Sequence, residues 1–446
     1  MSLSKKLGQR AIVVGGSIAG MLAARVIATH FDTVVVLERD EFPAQPQPRR
    51  TVPQSHHVHM LLKGGENAIE RLVPGFLAEL TAQGTVPMEG RDFGAASELG
   101  FAPRGDTGMV LHGQSRWMLE HCLRQRVLAT TANVELRTGT IVRGLAYDAA
   151  SNRVTGVVLD GDSDESLQSD CVIDATGRGE AGMRWLTALG IATPAVEEVK
   201  VDFGYSSAVV ELDVNTERDW KAFALGNLPR VGARGAVLLP IEGGQHICSL
   251  GGRAGDYPPE TETAFLEFAK SLPKTTIYDA LAVAKFVSPV ARMIYPANRF
   301  RHYEQLETLP TGLLPLGDAL CSFNPTYGQG MSSAALQADV LNDTLASRNE
   351  SDSLRDVVHI YLQRAAQVAR MPWRQANYND FLYPTTEGDR SMFTEDEMNY
   401  RFQVAMAVGK DAVVRKLSSE VQHLLVPFEA LMAEDIRERV KQALAK

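Results

Sequence analysis

Close to its N-terminus the chain carries Gly15-Gly-Ser-Ile-Ala-Gly20 between the apolar run Arg10-Ala-Ile-Val-Val14 and an Ala/Leu-rich segment, Met21–Thr29. A second apolar run, Thr33-Val-Val-Val-Leu37, follows and ends in Glu38. Near-continuous apolar runs of this kind suit parallel strands buried on both faces. Strand, glycine-rich turn, helix, strand is the opening of a Rossmann-type α/β domain, and few other folds accept that order. The first glycine of such a turn makes the bend. The second lets a phosphate approach the backbone, and the third lets helix pack on strand. Those slots hold Gly15, Ser17 and Gly20, so serine replaces the second glycine. Serine is small and its hydroxyl donates a hydrogen bond, which keeps an anion site open there. Glu38 stands where an acid accepts from an adenosine ribose hydroxyl, and an acid there favours an unphosphorylated ribose.

A second motif lies far along the chain. Leu313-Leu-Pro-Leu-Gly-Asp318 is a short apolar strand running into Gly-Asp, and Pro325-Thr-Tyr-Gly-Gln-Gly330-Met331 then opens an Ala/Leu helix. Alone this is an ordinary α/β turn with an N-cap. Paired with the N-terminal turn, it describes one chain closing on a long dinucleotide cofactor from both ends. Asp318, at a strand end beside a glycine, suits the ribityl hydroxyls of a flavin. A charged hydrogen bond of that type is worth about 1.5–3 kcal/mol. Free N–H groups at Gly328, Gly330 and Met331, with the helix dipole, favour negative charge by about 0.5–2 kcal/mol. A reduced flavin carries its charge at N1 and the C2 carbonyl, so FAD is the cofactor that fits. Arg116 opens a helix expected over Ser115–Leu128, where its guanidinium either reaches a phosphate or points to solvent. Asp174-Ala-Thr-Gly177 ends a buried strand, and Asp174 either faces the cofactor or caps a turn.

The expected fold class is α/β, a Rossmann-type FAD-binding domain with an inserted sheet-based substrate domain and a helical C-terminal region. Residues 1–196 form the first part of the FAD domain, 197–296 the substrate domain, 297–350 the return segment, and 351–446 the helical region. Lys63–Gln83 alternates at helical spacing. Val134–Leu136, Ile141–Tyr147 and Val154–Leu159 are expected as a β-meander with turns at Asp148–Asn152 and near Asp160–Asp164. Strands are expected over Phe203–Asp213, Gly235–Pro240 and His246–Gly251, and the C-terminal helices break at Pro372, Pro384 and Pro427. A net charge of −9 argues against a nucleic-acid partner. The four cysteines have no CxxC spacing, so they are expected as buried thiols of a cytoplasmic protein, with no disulfide framework and no metal site. No apolar run approaches the roughly 18 residues of a membrane span, and no signal-peptide pattern is present.

Taken together, Val14-Gly-Gly-Ser-Ile-Ala-Gly20, Asp174-Ala-Thr-Gly177 and Gly317-Asp318 with Pro325-x-x-Gly-x-Gly330 resemble the single-component FAD-dependent monooxygenases of the p-hydroxybenzoate hydroxylase type. Val52-Pro-Gln-Ser-His-His-Val-His59, Ser115-Arg-Trp-Met-Leu-Glu120 and Cys321–Gly330 are most similar to the bacterial branch with the polyether olefin epoxidases. The resemblance covers most of residues 10–350. It implies that NADH or NADPH reduces the flavin, that O2 adds at the flavin C4a carbon, and that the hydroperoxide passes one oxygen to an apolar aromatic or olefinic small molecule. The flavin carries that chemistry, and no catalytic side chain is assigned beyond it. The cofactor-binding set expected is Gly15, Ser17, Gly20, Glu38, Arg39, Arg116, Val142, Asp318, Gly328, Gly330 and Met331.

Arg50, His57, Tyr205 and Pro325 are candidates for the substrate pocket. His56, His57 and His59 lack an accompanying acid or thiolate cluster, so the family implies packing near the flavin, and a solvated loop is the alternative. Arg50 would meet a nicotinamide pyrophosphate or the flavin. Tyr205 lines a pocket or packs under the sheet. Lys63 is at a helix start, and the Trp-x-Trp-x-Ile-Pro string of flavin halogenases is absent. Two other functions share this nucleotide half: a flavin-dependent reductase of isoprenoid double bonds, and a flavin-binding sensor without turnover. The reductases carry Tyr-x-Trp-x-Phe-Pro where this chain has Val237-Leu-Leu-Pro-Ile-Glu242. Monomer and homodimer both remain open.

Overall fold

A computed structural model describes residues 6–98, 100–161, 165–226 and 232–445. Five parallel strands form the central sheet, in the spatial order Leu313–Pro315, Cys171–Asp174, Gly8–Val14, Phe31–Leu37, Val134–Arg137. The register aligns Val14 with Leu37 on one side and with Asp174 on the other, and Asp174 with Pro315. All four strands therefore release their next residue at the same sheet edge, where α/β sheets bind ligands. The helices Ile18–Ile27, Lys63–Leu72, Gln329–Ala346 and Leu354–Phe381 pack in sequence against one another around this sheet.

A second, nine-stranded sheet carries the long strands Val196–Glu211, His246–Arg253 and Ala291–Arg301 side by side. It also takes in Phe93–Ser97, Gly100–Phe101 and Cys321–Ser322, which lie outside 197–296 in sequence. Beneath it the helices Glu262–Lys270 and Thr276–Ala282 bury a core around Phe265, Leu250 and Ile277. The helices Glu395–Ala407, Ala412–Gln422 and Glu434–Ala445 share a small core of their own around Val404, Val414 and Val440.

Four elements depart from the expected pattern. The strand Val134–Arg137, expected in the meander, instead pairs parallel with Phe31–Leu37 at the edge of the central sheet. The helix expected over Lys63–Gln83 is two helices, Lys63–Leu72 and Phe76–Ala82. Pro74 lacks an N–H, and Gly75 adopts a left-handed φ of 81° between them. Conversely, Pro372 does not break its helix: Leu354–Phe381 runs through it. A mid-helix proline costs about 3 kcal/mol, but Tyr361, Ala365, Ala369, Trp373 and Ala376 are all buried on this helix and hold it in place. The strand expected from Phe203 begins at Val196, and its pairing slips between Lys200 and Phe203, where Asp202 takes φ 43°. The strand pair around Asp148–Asn152 forms as expected, whereas the turn near Asp160–Asp164 falls largely outside the described residues.

The long helix is clamped to the second sheet by a charged cluster. His302 Nδ1 lies 2.8 Å from Glu304 and Nε2 lies 3.3 Å from Glu197, whose other oxygen accepts from Trp373 Nε1 at 3.2 Å. The hydrogen bonds to Glu197 and Glu304 raise the imidazole pKa from 6.5 to about 9. A raised folded-state pKa means that this stabilisation is complete below pH 6.5 and lost as pH rises through about 9. The melting-temperature gap between the wild type and His302→Gln should thus be widest below pH 6.5 and close by pH 9 to 10, as read by thermal denaturation across that range.

Candidate functional site

The glycine turn is built by close backbone approach. Gly15 has φ 106°, and a Cβ on it would lie 2.4 Å from the Ala175 carbonyl oxygen. A Cβ on Gly20 would lie 1.7 Å from the Gly15 oxygen, so only glycine lets the first helix rest on the turn. Ser17 is the N-cap, yet its side chain does not cap the helix. Its Oγ instead accepts from Arg116 Nη2 at 2.8 Å. No side chain caps that helix and its first turn has no acidic residue, so no protein carboxylate competes for its N-terminal N–H groups.

Arg116 begins its helix as expected, with Ser115 Oγ accepting from Met118 N at 3.1 Å. It is buried, and donates to Glu120 Oε2 at 2.5 Å. Glu120 also pairs with Arg49, which lies 3.2 Å from Asp40 and 3.5 Å from Glu38. Burial would raise the Glu120 carboxyl, but Arg116 and Arg49 outweigh it and hold the group below the usual carboxylate range. Glu38 accepts from Gly16 N at 2.9 Å and Asp40 N at 3.1 Å. A carboxylate offers about four acceptor positions, so Glu38 keeps capacity for a ligand hydroxyl. Thr140 N donates to the Glu38 carbonyl at 2.8 Å, which brings the strand that starts at Val142 to this end of the cleft. Arg39 is exposed and donates to the Thr51 carbonyl at 3.1 Å.

The far motif meets the first one directly. Gly317 has φ 73°, and a Cβ on it would lie 2.9 Å from Ala19 Cβ in the first helix. Gly317 N donates to Gln337 Oε1 at 2.8 Å, which ties the Gly-Asp turn to the helix Gln329–Ala346. That helix starts from Gly328 in the left-handed region without a side-chain cap. A Cβ on Gly330 would lie 3.7 Å from Asp318 Oδ1, so the carboxylate stands over the open helix start, next to Met331. Among the described residues no hydrogen-bond donor reaches the Asp318 carboxylate. Burial raises its pKa, partly offset by Arg178, Arg301 and Arg116.

Asp174 behaves differently from Asp318. Its Oδ1 accepts from Thr176 N at 3.0 Å and Thr176 Oγ1 at 2.7 Å, so it caps its own turn. Arg178, just beyond, lies over the Tyr295 ring with 5.2 Å to the centroid.

The second sheet supplies the opposite wall. Tyr205 pairs in register with Met293, and its OH lies 3.2 Å from the Met293 sulfur. Ser207 pairs with Ser249, and its Oγ is 2.7 Å from His57 Nδ1. The His57 ring meets Tyr205 edge-on at 4.2 Å. Burial, with His59, His56 and Arg178 nearby, lowers His57 to about 3, and burial with Arg116 lowers His59 to about 4. Burial lifts Tyr205 to about 12. His57, His59 and Tyr205 are therefore neutral at pH 7, and the Arg178 guanidinium, 3.9 Å from the Met293 sulfur, is the cation beside them. Arg50 is exposed and forms no ion pair among the described residues. Among those residues no group of three or more His, Cys, Asp or Glu is arranged to hold a metal ion.

Pro325 begins the short turn Pro325–Tyr327, and that turn is anchored from the C-terminal side. Asp380, fully buried, accepts from Tyr327 OH at 2.7 Å, Arg253 Nη2 at 2.7 Å, Asn324 Nδ2 at 3.0 Å and Asn298 Nδ2 at 2.9 Å. The sequence pattern did not point to this cluster, because its members are far apart in the chain. Arg116 and Glu120, spaced i,i+4, did leave a local trace.

No family model matches this chain. Protein Rv3254 of Mycobacterium tuberculosis (strain ATCC 25618 / H37Rv) is 36% identical over 353 residues, which cover 76% of this chain and 74% of that protein. This chain belongs to the family of Rv3254. Among solved structures, the flavin-dependent brominase Bmp2 superposes with a TM-score of 0.68 at 14% identity, covering 98% of each chain. The 2-methyl-3-hydroxypyridine-5-carboxylic acid oxygenase gives 0.61 at 16% identity, over 83% of this chain and 91% of that one. PqsL, a probable FAD-dependent monooxygenase from Pseudomonas aeruginosa, gives 0.61 at 17% identity, over 84% and 96%. This chain has the fold of these three proteins, with its Rossmann-type domain.

Removing one partner of a buried ion pair typically destabilises by about 3–5 kcal/mol, while deleting one hydrogen bond costs about 1 kcal/mol. Asp380→Ala should fall in the first range and Tyr327→Phe in the second. Urea unfolding midpoints of the two variants against the wild type measure the difference.

Proposed function

We propose that this protein is an FAD-dependent monooxygenase that uses NADH or NADPH and O2 to hydroxylate or epoxidise an apolar aromatic or olefinic small molecule. The observation that carries the reading is Asp318: a carboxylate without a protein donor, over an uncapped helix start, on a turn packed against the glycine fingerprint. Two further features fit FAD. Gln114, two residues before Arg116, and Gln329, at the start of its helix, are both buried with amide atoms that have no protein partner. The glycines at 15 and 20 let the turn pack on Ala175 and on the first helix, which sets that helix's N-terminus at the strand end where a pyrophosphate would bind.

In this reading the turn Gly15–Gly20 and Arg116 take the pyrophosphate, and Glu38 takes the adenosine ribose, with Arg39 and Val142 at that end. Asp318 takes the ribityl chain, and Gly330 and Met331 present N–H groups to the flavin ring; the Gly328 N–H, expected to be free, instead donates to the Pro325 carbonyl at 3.0 Å and closes its own turn. Bound FAD supplies two-electron reduction by the nicotinamide and activation of O2. The protein's own work is to orient the substrate and exclude water. His57 and Tyr205 are neutral, which supports a largely apolar substrate, with the Arg178 guanidinium beside them to meet a polar group on it. Pro325 stands between ring and substrate, and Arg50 is available to an incoming nicotinamide from the rim. The reading divides the chain at 1–196, 197–296, 297–350 and 351–446, and takes it to be cytoplasmic, as a monomer or homodimer. No helix among the described residues is long and apolar enough to cross a membrane.

The test is a visible spectrum of the purified protein, then nicotinamide oxidation followed together with oxygen uptake. Flavin absorbance and substrate-stimulated oxygen consumption are expected. A colourless protein that takes up no added FAD would overturn the proposal, whereas flavin without oxygen consumption on aromatic and olefin panels would favour a reductase or a sensor. Asp318→Ala should retain its fold by circular dichroism and lose FAD affinity by about tenfold or more, the equivalent of one charged hydrogen bond. Undiminished FAD binding in that variant would remove Asp318 from the site.

A further inference from the structure

A second recess lies away from the cleft, where the long helix Leu354–Phe381 meets the C-terminal helices. It has a volume of about 250 Å³ and is lined by Arg370, Met371, Arg374 and Gln375 from the long helix and by Arg401 and Phe428 from beyond it. Spaced i,i+4, Arg370 and Arg374 fall on one face of the helix. That volume matches roughly eight water molecules at about 30 Å³ each, enough for a compact organic ligand.

The charges around it do not balance. Arg374 donates to both oxygens of Glu397 at 2.8 Å, and Arg401 donates to the same carboxylate at 2.9 and 3.1 Å. One acid thus serves two guanidinium groups. Arg370 forms no ion pair among the described residues, and neither does Glu429, an exposed acid at the rim. Around the recess itself three cations face two carboxylates, with Glu197 beyond it as the further acid that Arg370 acts on. Arg401 cannot swing out to water: it is buried, its guanidinium stacked on Phe428 at 3.4 Å and Tyr378 at 4.8 Å. Burial, with Arg374 beside it, lowers its pKa despite the hydrogen bonds to Glu397. Gln375 Oε1 is also buried without a partner.

We propose that this recess binds a small organic anion, with its carboxylate or phosphate head on Arg370 and Arg374 and its apolar body against Met371 and Phe428. Guanidinium groups bind such heads by paired, charge-assisted hydrogen bonds. The ligand would bridge the long helix and the C-terminal helices, so occupancy must also favour their docking. Neither the site nor its ligand depends on the flavin reading, because no residue of the cleft takes part.

The experiment is isothermal titration of the full-length protein, saturated with FAD where it binds, with benzoate, phenyl phosphate and the neutral benzyl alcohol. Saturable one-to-one binding of benzoate, phenyl phosphate or both, without binding of the alcohol, is expected, and the bound anion should slow proteolysis within residues 395–445. Arg370→Gln should weaken that binding by about tenfold, with Arg370→Lys intermediate. Arg370 is exposed, so both variants should fold, which circular dichroism checks. Absence of binding by either anion, equal binding of the alcohol, or affinity unchanged in Arg370→Gln would each overturn the proposal.

Discussion

The cleft depends on backbone packed against backbone. The first helix lies so close to its own turn that a single methyl at position 20 would overlap the Gly15 carbonyl. The same turn presses on Ala175, and the first helix meets Gly317 through Ala19. Three strand ends are thereby drawn to one place, and the side chains that could hold a long ligand follow from that approach. Glycine is required because any Cβ would separate the elements that make the site.

Charge organises what the glycines bring together. Arg116 links Ser17 to Glu120, and Arg49 continues the chain to Asp40 and Glu38. Each buried carboxylate in this line has a cation beside it, the condition under which ions persist away from water. On the opposite side Asp380 gathers Arg253, Tyr327, Asn298 and Asn324 into one hydrogen-bonded hub. The hub joins the second sheet, the Pro325–Tyr327 turn and the long C-terminal helix. A turn that would otherwise be free to move at the edge of the cleft is held by residues from three directions.

Much of this was legible before the fold was known, but unevenly. Gly15, Gly20 and the apolar runs around them announce a parallel strand–turn–helix unit, because period and sterics act over a few residues. Gly317-Asp318 was legible as a turn with a carboxylate that shares a cofactor with the first turn, but its contact with Ala19 in the first helix was not. Asp174 looked much like Asp318 in sequence, since both are acids at strand ends, yet Thr176 engages only Asp174. Pro372 looked like a helix stop, and packing overrode it. In both cases the outcome turned on neighbours that a local pattern does not contain.

The sequence by itself determined the α/β class, the glycine cradle and the position of Asp318 at a strand end, because short-range sterics and side-chain periodicity specify them. Only the tertiary structure decided which ions from distant segments face one another: Arg49 with Glu120, Arg253 with Asp380, and Arg374 with Glu397. Such pairings are set by the burial of distant segments, where an unpaired charge is expensive and a partner must come from wherever the chain happens to pass.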